Sequence, residues 1–293
     1  MFLLPSCTIF VEDKRHLGID RSNKFDVSAL VFRYLCIIQI FDMNIPDFLK
    51  QRRTIRKYSE KEISDELLNE LLETAFKAPT TGNMQVYSVV VTRDAENKKR
   101  LAPAHFNQPT VTSAPVVLTF CADFNRFEKW CSCRNAQPGY ENFQSFLTAT
   151  LDAVIVAQQF NTAAESVGLG CCYLGTTTYN APQIAEALGL PDRVVPITTL
   201  TVGYPETIPA QSDRLPLEAI VHREHYHDYT PADIDRLYRA KEALPENRGF
   251  IEENGKETLA QVFTDIRYNR TNNELFSKVM LDFIEQQGYK IPF

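Results

Sequence analysis

Positive charge is in short supply in this sequence: 31 lysines and arginines against 37 aspartates and glutamates leave the 293-residue chain at a net charge of −6. General affinity for nucleic acid needs a surplus of cations to neutralise phosphates, so no nucleic-acid partner is expected and basic residues have to be judged locally. Long apolar runs are also missing. The most apolar stretch, Leu30 to Phe41, is too short to span a bilayer and carries Arg33 within it, which argues against a membrane partner. No Gly-x-Ser-x-Gly elbow, no Gly-x-x-x-x-Gly-Lys loop and no Gly-x-Gly-x-x-Gly opening a helix occurs, so hydrolase, nucleotide triphosphatase and Rossmann readings lack their usual support. The seven cysteines are odd in number, and Cys131-Ser132-Cys133 has no second pair at ligand spacing. Free thiols in a reducing, cytoplasmic compartment fit better than disulfides or zinc, with Cys131 and Cys133 in a loop.

What is present is ordinary globular material, 44% hydrophobic and 23% charged, enough to bury a real core. Residues 1 to 42 match neither a helix-period core segment nor a secretory signal, whereas a well-patterned segment opens at Met43. The biological chain is therefore expected to start there, with residues 1 to 42 an upstream translation artefact. Beyond it a short helix begins at Pro46. A second, Ser64 to Lys77, carries the stripe Leu67, Leu68, Leu71, Leu72, Ala75 behind a Ser64 cap. Val86 to Thr92, Pro115 to Ala122, Cys171 to Leu174 and Val194 to Val202 read as strands. Asn142 to Val167 reads as a long helix buried on more than one side, and Asn180 to Leu188 as a small helix stopped by Gly189. Polar helices follow a loop from Glu206. Helices of unequal length between strands, with no regular βαβ repeat, predict an α+β sheet flanked by helices.

Arg52, Arg53 and Arg56, with Thr54 among them, lie between a short helix and an extended run. Guanidinium forks and a hydroxyl suit a phosphate monoester, and the same cluster could equally be a solvated turn pairing with the acidic stretch Glu60 to Glu66. Thr80, Thr81, Asn83 and Gln85 sit before a strand, where hydroxyls and amides can reach a ligand across a sheet edge, and Gly175-Thr176 after Leu174 offers the same. Turn chemistry explains each loop just as well. His222, His225 and His227 lack a completing ligand at helical spacing and read as part of an exposed connector.

Taken together and in order, these segments resemble the nitroreductase family. Arg-Arg-Thr-Ile-Arg-Lys-Tyr at 52 to 58 is similar to its Arg-Arg-Ser-Ile-Arg-x-Phe opening, and Ala78 to Gln85 to its Ala-Pro-Ser-Ser-x-Asn-x-Gln loop. Ala164 to Gly170 is similar to its Ala-x-x-x-Gly-Leu-Gly helix end. Phe120 to Arg126 and Arg214-Leu215-Pro216 resemble the larger, NADPH-preferring, oxygen-insensitive subgroup of nitroreductases and flavin reductases. The resemblance runs from about Met43 to Tyr226.

The resemblance implies an antiparallel-centred sheet flanked by helices and a homodimer with FMN at two subunit-interface sites, the long helix packing at the dimer core. It implies an FMN-binding domain over 43–230 and a C-terminal helical extension over 231–293 on the same domain. Arg52, Arg53, Thr54 and Arg56 would contact the FMN phosphate, ribityl chain and pyrimidine edge, and Thr80, Thr81 and Gln85 would come from the partner. Gln108 matches a flavin-contacting glutamine, Tyr173, Leu174, Gly175 and Thr176 the segment beside the reactive edge, and Arg214 a phosphate-binding arginine. Three departures stand out. Ser212 replaces the subgroup's usual lysine, so the arginines should carry more of the phosphate. Thr176 replaces the second glycine of a Gly-Gly pair, adding bulk near the flavin. For the 2′-phosphate of NADPH, Lys256 and Arg267 are the candidates, and NADH or NADPH both stay open as donor.

The activity implied is ping-pong transfer of two electrons from NAD(P)H through FMN to small planar acceptors such as nitroaromatics, quinones or flavins. No side-chain nucleophile or base is needed, because the flavin carries the chemistry. The competing readings are an FMN-holding regulatory or redox-sensing module without turnover, and a structural dimer that has lost the cofactor.

Overall fold

The computed structural model describes residues 44–291; the expectation for residues 1 to 42 lies outside them. Contacts divide the chain into two units, Met1–Phe48 and Leu49–Phe293. In the first, Asn44 caps the start of helix α1 (Ile45–Lys50) by accepting from the Asp47 N–H at 3.1 Å.

The second unit holds the sheet. Helix α2 (Asp65–Ala75) starts at Ser64, whose hydroxyl accepts from Leu67 N–H at 3.2 Å, and buries Leu68, Leu71, Leu72 and Ala75. Strand β1 (Tyr87–Thr92) is followed by the short helices α3 (Ala95–Leu101) and α4 (Pro109–Ser113), then by β2 (Val116–Asp123) and α5 (Asn125–Ser132). The long helix α6 (Phe143–Ser166) leads into β3 (Gly170–Leu174), α7 (Ala181–Leu188) and β4 (Val194–Gly203). After a long connector come α8 (Pro231–Glu242), α9 (Pro245–Glu253), short helical turns over Leu259–Gln261 and Val262–Arg267, and α10 (Arg270–Gln286).

All neighbouring strands are antiparallel, in the order β1-β2-β4-β3, so the α+β architecture is as expected. Every residue of β2 is buried, which follows from its unbroken apolar run and central place. Side-chain alternation splits it between two cores. Val116, Leu118, Phe120 and Ala122 face α6 through Ala149, Ala153, Val156 and Phe160, while Val117 joins Leu101, Val111, Leu174 and Ile184 on the other face. Pro196 sits in β4, where a ladder N–H is missed. The register shift there, Phe120 opposite Thr198 and Cys121 opposite Pro196, is the bulge that accommodates it.

Two expectations change. Cys131 belongs to helix α5 and only Cys133 lies past its end, because Phe127 anchors that segment on Phe124 and Tyr140, with Trp130 against Phe127. Helix α6 buries one face fully, but Phe143, Leu147, Leu151, Val154 and Ile155 form an exposed apolar stripe on another.

Candidate functional site

The Arg52–Arg56 segment is strapped across the β3 edge of the sheet. Ile55 N–H donates to Cys171 O at 3.0 Å and its side chain is buried. Tyr58 pins the end of the strap, its hydroxyl reaching Ile55 O at 2.8 Å and Thr201 Oγ1 at 2.8 Å. Both ends depend on glycine, since a Cβ on Gly170 would stand 2.4 Å from Ile55 Cγ1 and one on Gly203 2.7 Å from the Tyr58 ring. The side chains of the strap are therefore presented by a fixed backbone.

Arg52 Nε lies 3.3 Å from Glu165 Oε1 near the end of α6. Burial pushes the Glu165 carboxyl up and Arg52 pulls it back. Arg56 stands beside the Cys172 thiol, which burial raises and the Arg56 and Arg52 charges lower. Arg53 is different: its Nη1 donates to Gln51 O at 2.7 Å, but its buried Nε has no hydrogen-bond partner among the described residues. A buried donor of this kind is costly unless an acceptor arrives. Thr54 is half-buried in the same strap.

The loop carrying Ser212 and Arg214 is joined to this strap by Gln211, whose Nε2 donates to Lys50 O at 2.6 Å and Arg52 O at 3.2 Å. Arg214 itself is exposed and, among the described residues, bonds only to its own loop, at 2.7 Å to Asp213 O, so its guanidinium can turn toward a phosphate at little cost. Tyr173 and Leu174 end strand β3, and Gly175 and Thr176 follow in the turn, on the same edge as Ile55. Gln108 caps the start of α4 in a loop tied to that turn twice, by His105 Nδ1 with Thr176 Oγ1 at 2.8 Å and by Asn180 Nδ2 with Ala104 O at 2.8 Å. The structure thus joins Arg52, Arg53, Thr54, Arg56, Gln108, Tyr173 to Thr176, Ser212 and Arg214 through contacts around one edge.

Thr80, Thr81 and Gln85 are elsewhere. Thr81 N–H donates to Asp152 Oδ1 at 2.9 Å, in the middle of α6, whereas Arg52 meets that helix at Glu165. Asp152 and Glu165 are 13 residues apart in one helix, about 20 Å at 1.5 Å per residue. Gln85 lines a separate cleft of about 750 Å³ beside β1 with Met84, Tyr87, Arg126, Phe127 and Trp130. One copy of the chain does not bring the two sets together. Among the other candidates, Lys256 pairs with Asp265 at 2.9 Å and Arg267 stacks over Phe250. His222 is used internally, stacked on Tyr226 and 3.1 Å from the Tyr229 hydroxyl.

The profile of the nitroreductase family matches residues 49–204, more than half of the chain. The chain belongs to the nitroreductase family. Family relatives include the FMN reductase [NAD(P)H] of Bacillus subtilis, 31% identical over 83% of this chain and 96% of that protein. The oxygen-insensitive NADPH nitroreductase of Salmonella typhimurium is 29% identical, over 83% of this chain and 97% of its own. A solved structure from Bacteroides fragilis has a TM-score of 0.83 and 62% identity, covering 84% of this chain and all of that one.

Four polar residues that hold the candidate segments were not singled out from the sequence: His105, Asp152, Glu165 and Gln211. Asp152 left a signal, as a lone charge in the apolar run Leu151 to Val156 whose carboxylate is 1% exposed. His105 left none. It is fully buried, and burial pushes its pKa down from 6.5 to about 4. The unfolded chain therefore takes up a proton below about pH 6.5 that the folded chain refuses until about pH 4. Stability should fall across that window by about 3 kcal/mol from this group alone. Urea unfolding of wild type and His105→Gln at pH 7 and pH 4.5 checks it: the wild type should lose more stability, and equal losses would refute the assignment.

Proposed function

We propose that this chain is an FMN-dependent NAD(P)H oxidoreductase that reduces nitroaromatics, quinones or flavins by two-electron ping-pong transfer. When bound, FMN supplies the two-electron chemistry between nicotinamide and acceptor. The observation that carries the reading is the buried, unpartnered Nε of Arg53, set among Arg52, Arg56 and the Arg214 loop in a nitroreductase chain. An isolated surface turn has no reason to bury an unsatisfied guanidinium N–H; a phosphate- or ribityl-binding strap has one. Arg52 shares its charge with Glu165, so Arg53, Arg56 and Arg214 hold the phosphate that Ser212 cannot. Tyr173 to Thr176 and Gln108 line the ring edge, and Lys256 and Arg267, already engaged, give no preference for NADPH over NADH.

The working unit is a homodimer. The 20 Å separation along α6 and the exposed stripe on that helix support it, because a second copy covering the stripe would bring its Thr80, Thr81 and Gln85 to the strap. Cytoplasmic placement is supported by the five free cysteines among the described residues, four of them buried, and by the need for a nicotinamide donor. Among the described residues no helix is long and apolar enough to cross a membrane.

Anaerobic addition of NADH or NADPH to the purified yellow protein should bleach it, and a quinone should restore the colour; no bleaching with either donor rejects turnover. Arg56→Ala should weaken FMN retention by about 1.5–3 kcal/mol, roughly 10- to 150-fold in Kd. Equilibrium dialysis reads this directly, and unchanged flavin content would remove Arg56 from the site.

A further inference from the structure

His105 and Thr176 make a contact that the proposed activity does not require and that the family pattern, with glycine at position 176, does not offer. We propose that His105 fixes the Thr176 hydroxyl as a hydrogen-bond donor toward the bound flavin, so that the pair favours the oxidised ring over the reduced one. This rests on the FMN reading above.

The argument begins with the imidazole. His105 is 0% exposed, its Nδ1 is 2.8 Å from Thr176 Oγ1, and its buried Nε2 has no partner among the described residues. A neutral imidazole carries one proton, on one nitrogen or the other. On Nε2 that proton would be a buried N–H with no acceptor, whereas on Nδ1 it leaves only a bare lone pair at Nε2. Orphaned buried donors are the rarer and costlier case. The proton therefore sits on Nδ1 and is donated to Thr176. Burial keeps the ring neutral down to about pH 4, so the choice holds through the physiological range.

Thr176 Oγ1 then acts as an acceptor toward His105, and its own O–H must find an acceptor elsewhere. Among the described residues the hydroxyl has no second partner, and the side chain is half-buried in the turn after β3. The contact is held from outside. Asn180 Nδ2 donates to Ala104 O at 2.8 Å, and Phe276 of α10 stacks on Tyr179 at 4.5 Å while also touching Phe106 at 6.2 Å. The two loops are thus clamped together, and the threonine proton is left to the ligand side. An oxidised flavin offers a ring-nitrogen lone pair on its reactive edge, and the reduced ring carries N–H there. A fixed donor at Thr176 stabilises only the former.

Three measurements on the full-length chain test this. Replacing Thr176 by valine keeps the shape and removes the hydroxyl: oxidised FMN should bind five- to tenfold more weakly while reduced FMN changes less than twofold. For a two-electron couple a tenfold change is about 30 mV, so the midpoint potential should rise by up to that amount. Thr176→Ser should restore wild-type values, which a purely steric role would not give. Nitrogen-15 histidine spectra of the FMN-free protein, simple with five histidines, should show the resonance lost in His105→Gln to be protonated at Nδ1 and bare at Nε2. A proton on Nε2, or a valine variant with the wild-type potential, overturns the proposal while FMN still binds in an Arg56-dependent way. A wild-type chain that binds no FMN overturns the FMN reading, and this inference with it.

Discussion

Gly170→Ala is expected to lower the melting temperature by roughly 2 to 6 °C and to strip the protein of most of its FMN. The added methyl would stand 2.4 Å from Ile55 Cγ1 and 2.5 Å from Ile55 Cβ, so rotating the side chain cannot relieve the clash. Ile55 cannot withdraw either without breaking its backbone bond to Cys171 O at 3.0 Å. Either β3 or the strap has to move, at an overpacking cost of about 1–3 kcal/mol. Moving the strap carries Arg53 and Arg56 with it, so flavin should be lost out of proportion to stability. Gly139→Ala is the control, because a Cβ there meets nothing within 4 Å. Calorimetry and flavin absorbance on the two variants decide the matter: a Gly170→Ala protein that melts and binds like wild type would show that the strap does not position the arginines.

The dependence of the strap on Gly170 marks where sequence reading stops. Features set by neighbours in the chain were legible. The cap at Ser64 accepts from the N–H three residues on, at 3.2 Å, and the apolar run at Val116 to Ala122 became the central strand. Short elements were not. Helix α3 has only seven residues and α4 five, too few turns for a periodic stripe to emerge. Left-handed backbone at Gln85, Phe106 and Asn107, with φ of 55°, 54° and 54°, is invisible because none is glycine. The arginine strap and the Thr80 to Gln85 loop stood out by their chemistry, but only their joint order, resembling a family, set a ligand site above a solvated turn. Their partners could not be found that way. Glu165, Asp152, Gln211 and His105 act across 71 to 161 positions of chain, and only the folded sheet brings them to the strap and loops.

A charge placed on the exposed stripe of α6 should split the protein into monomers and empty its flavin sites together. Leu147, Leu151, Val154 and Ile155 recur at helical spacing on one face, and Leu151 is 53% exposed. Water does not reward such a stripe on a helix whose other face is already packed. In a two-fold dimer each residue is buried twice, so covering one half-exposed leucine contributes roughly 0.8–1.5 kcal/mol per copy. Leu151→Arg removes that contribution from both copies and asks the interface to cover two cations, so the dimer Kd should rise by at least ~10-fold. Asp152, beside it in sequence, holds Thr81 at 2.9 Å, and the same helix meets Arg52 at Glu165. Dissociation would therefore take Thr80, Thr81 and Gln85 of one copy away from the arginines of the other. Sedimentation velocity and flavin absorbance on one sample separate the possibilities. A variant that stays dimeric would show that the stripe is not the interface. A folded monomer that keeps stoichiometric FMN would show that one chain is enough, and the split between the β1-side loop and the β3-side strap would then need another explanation.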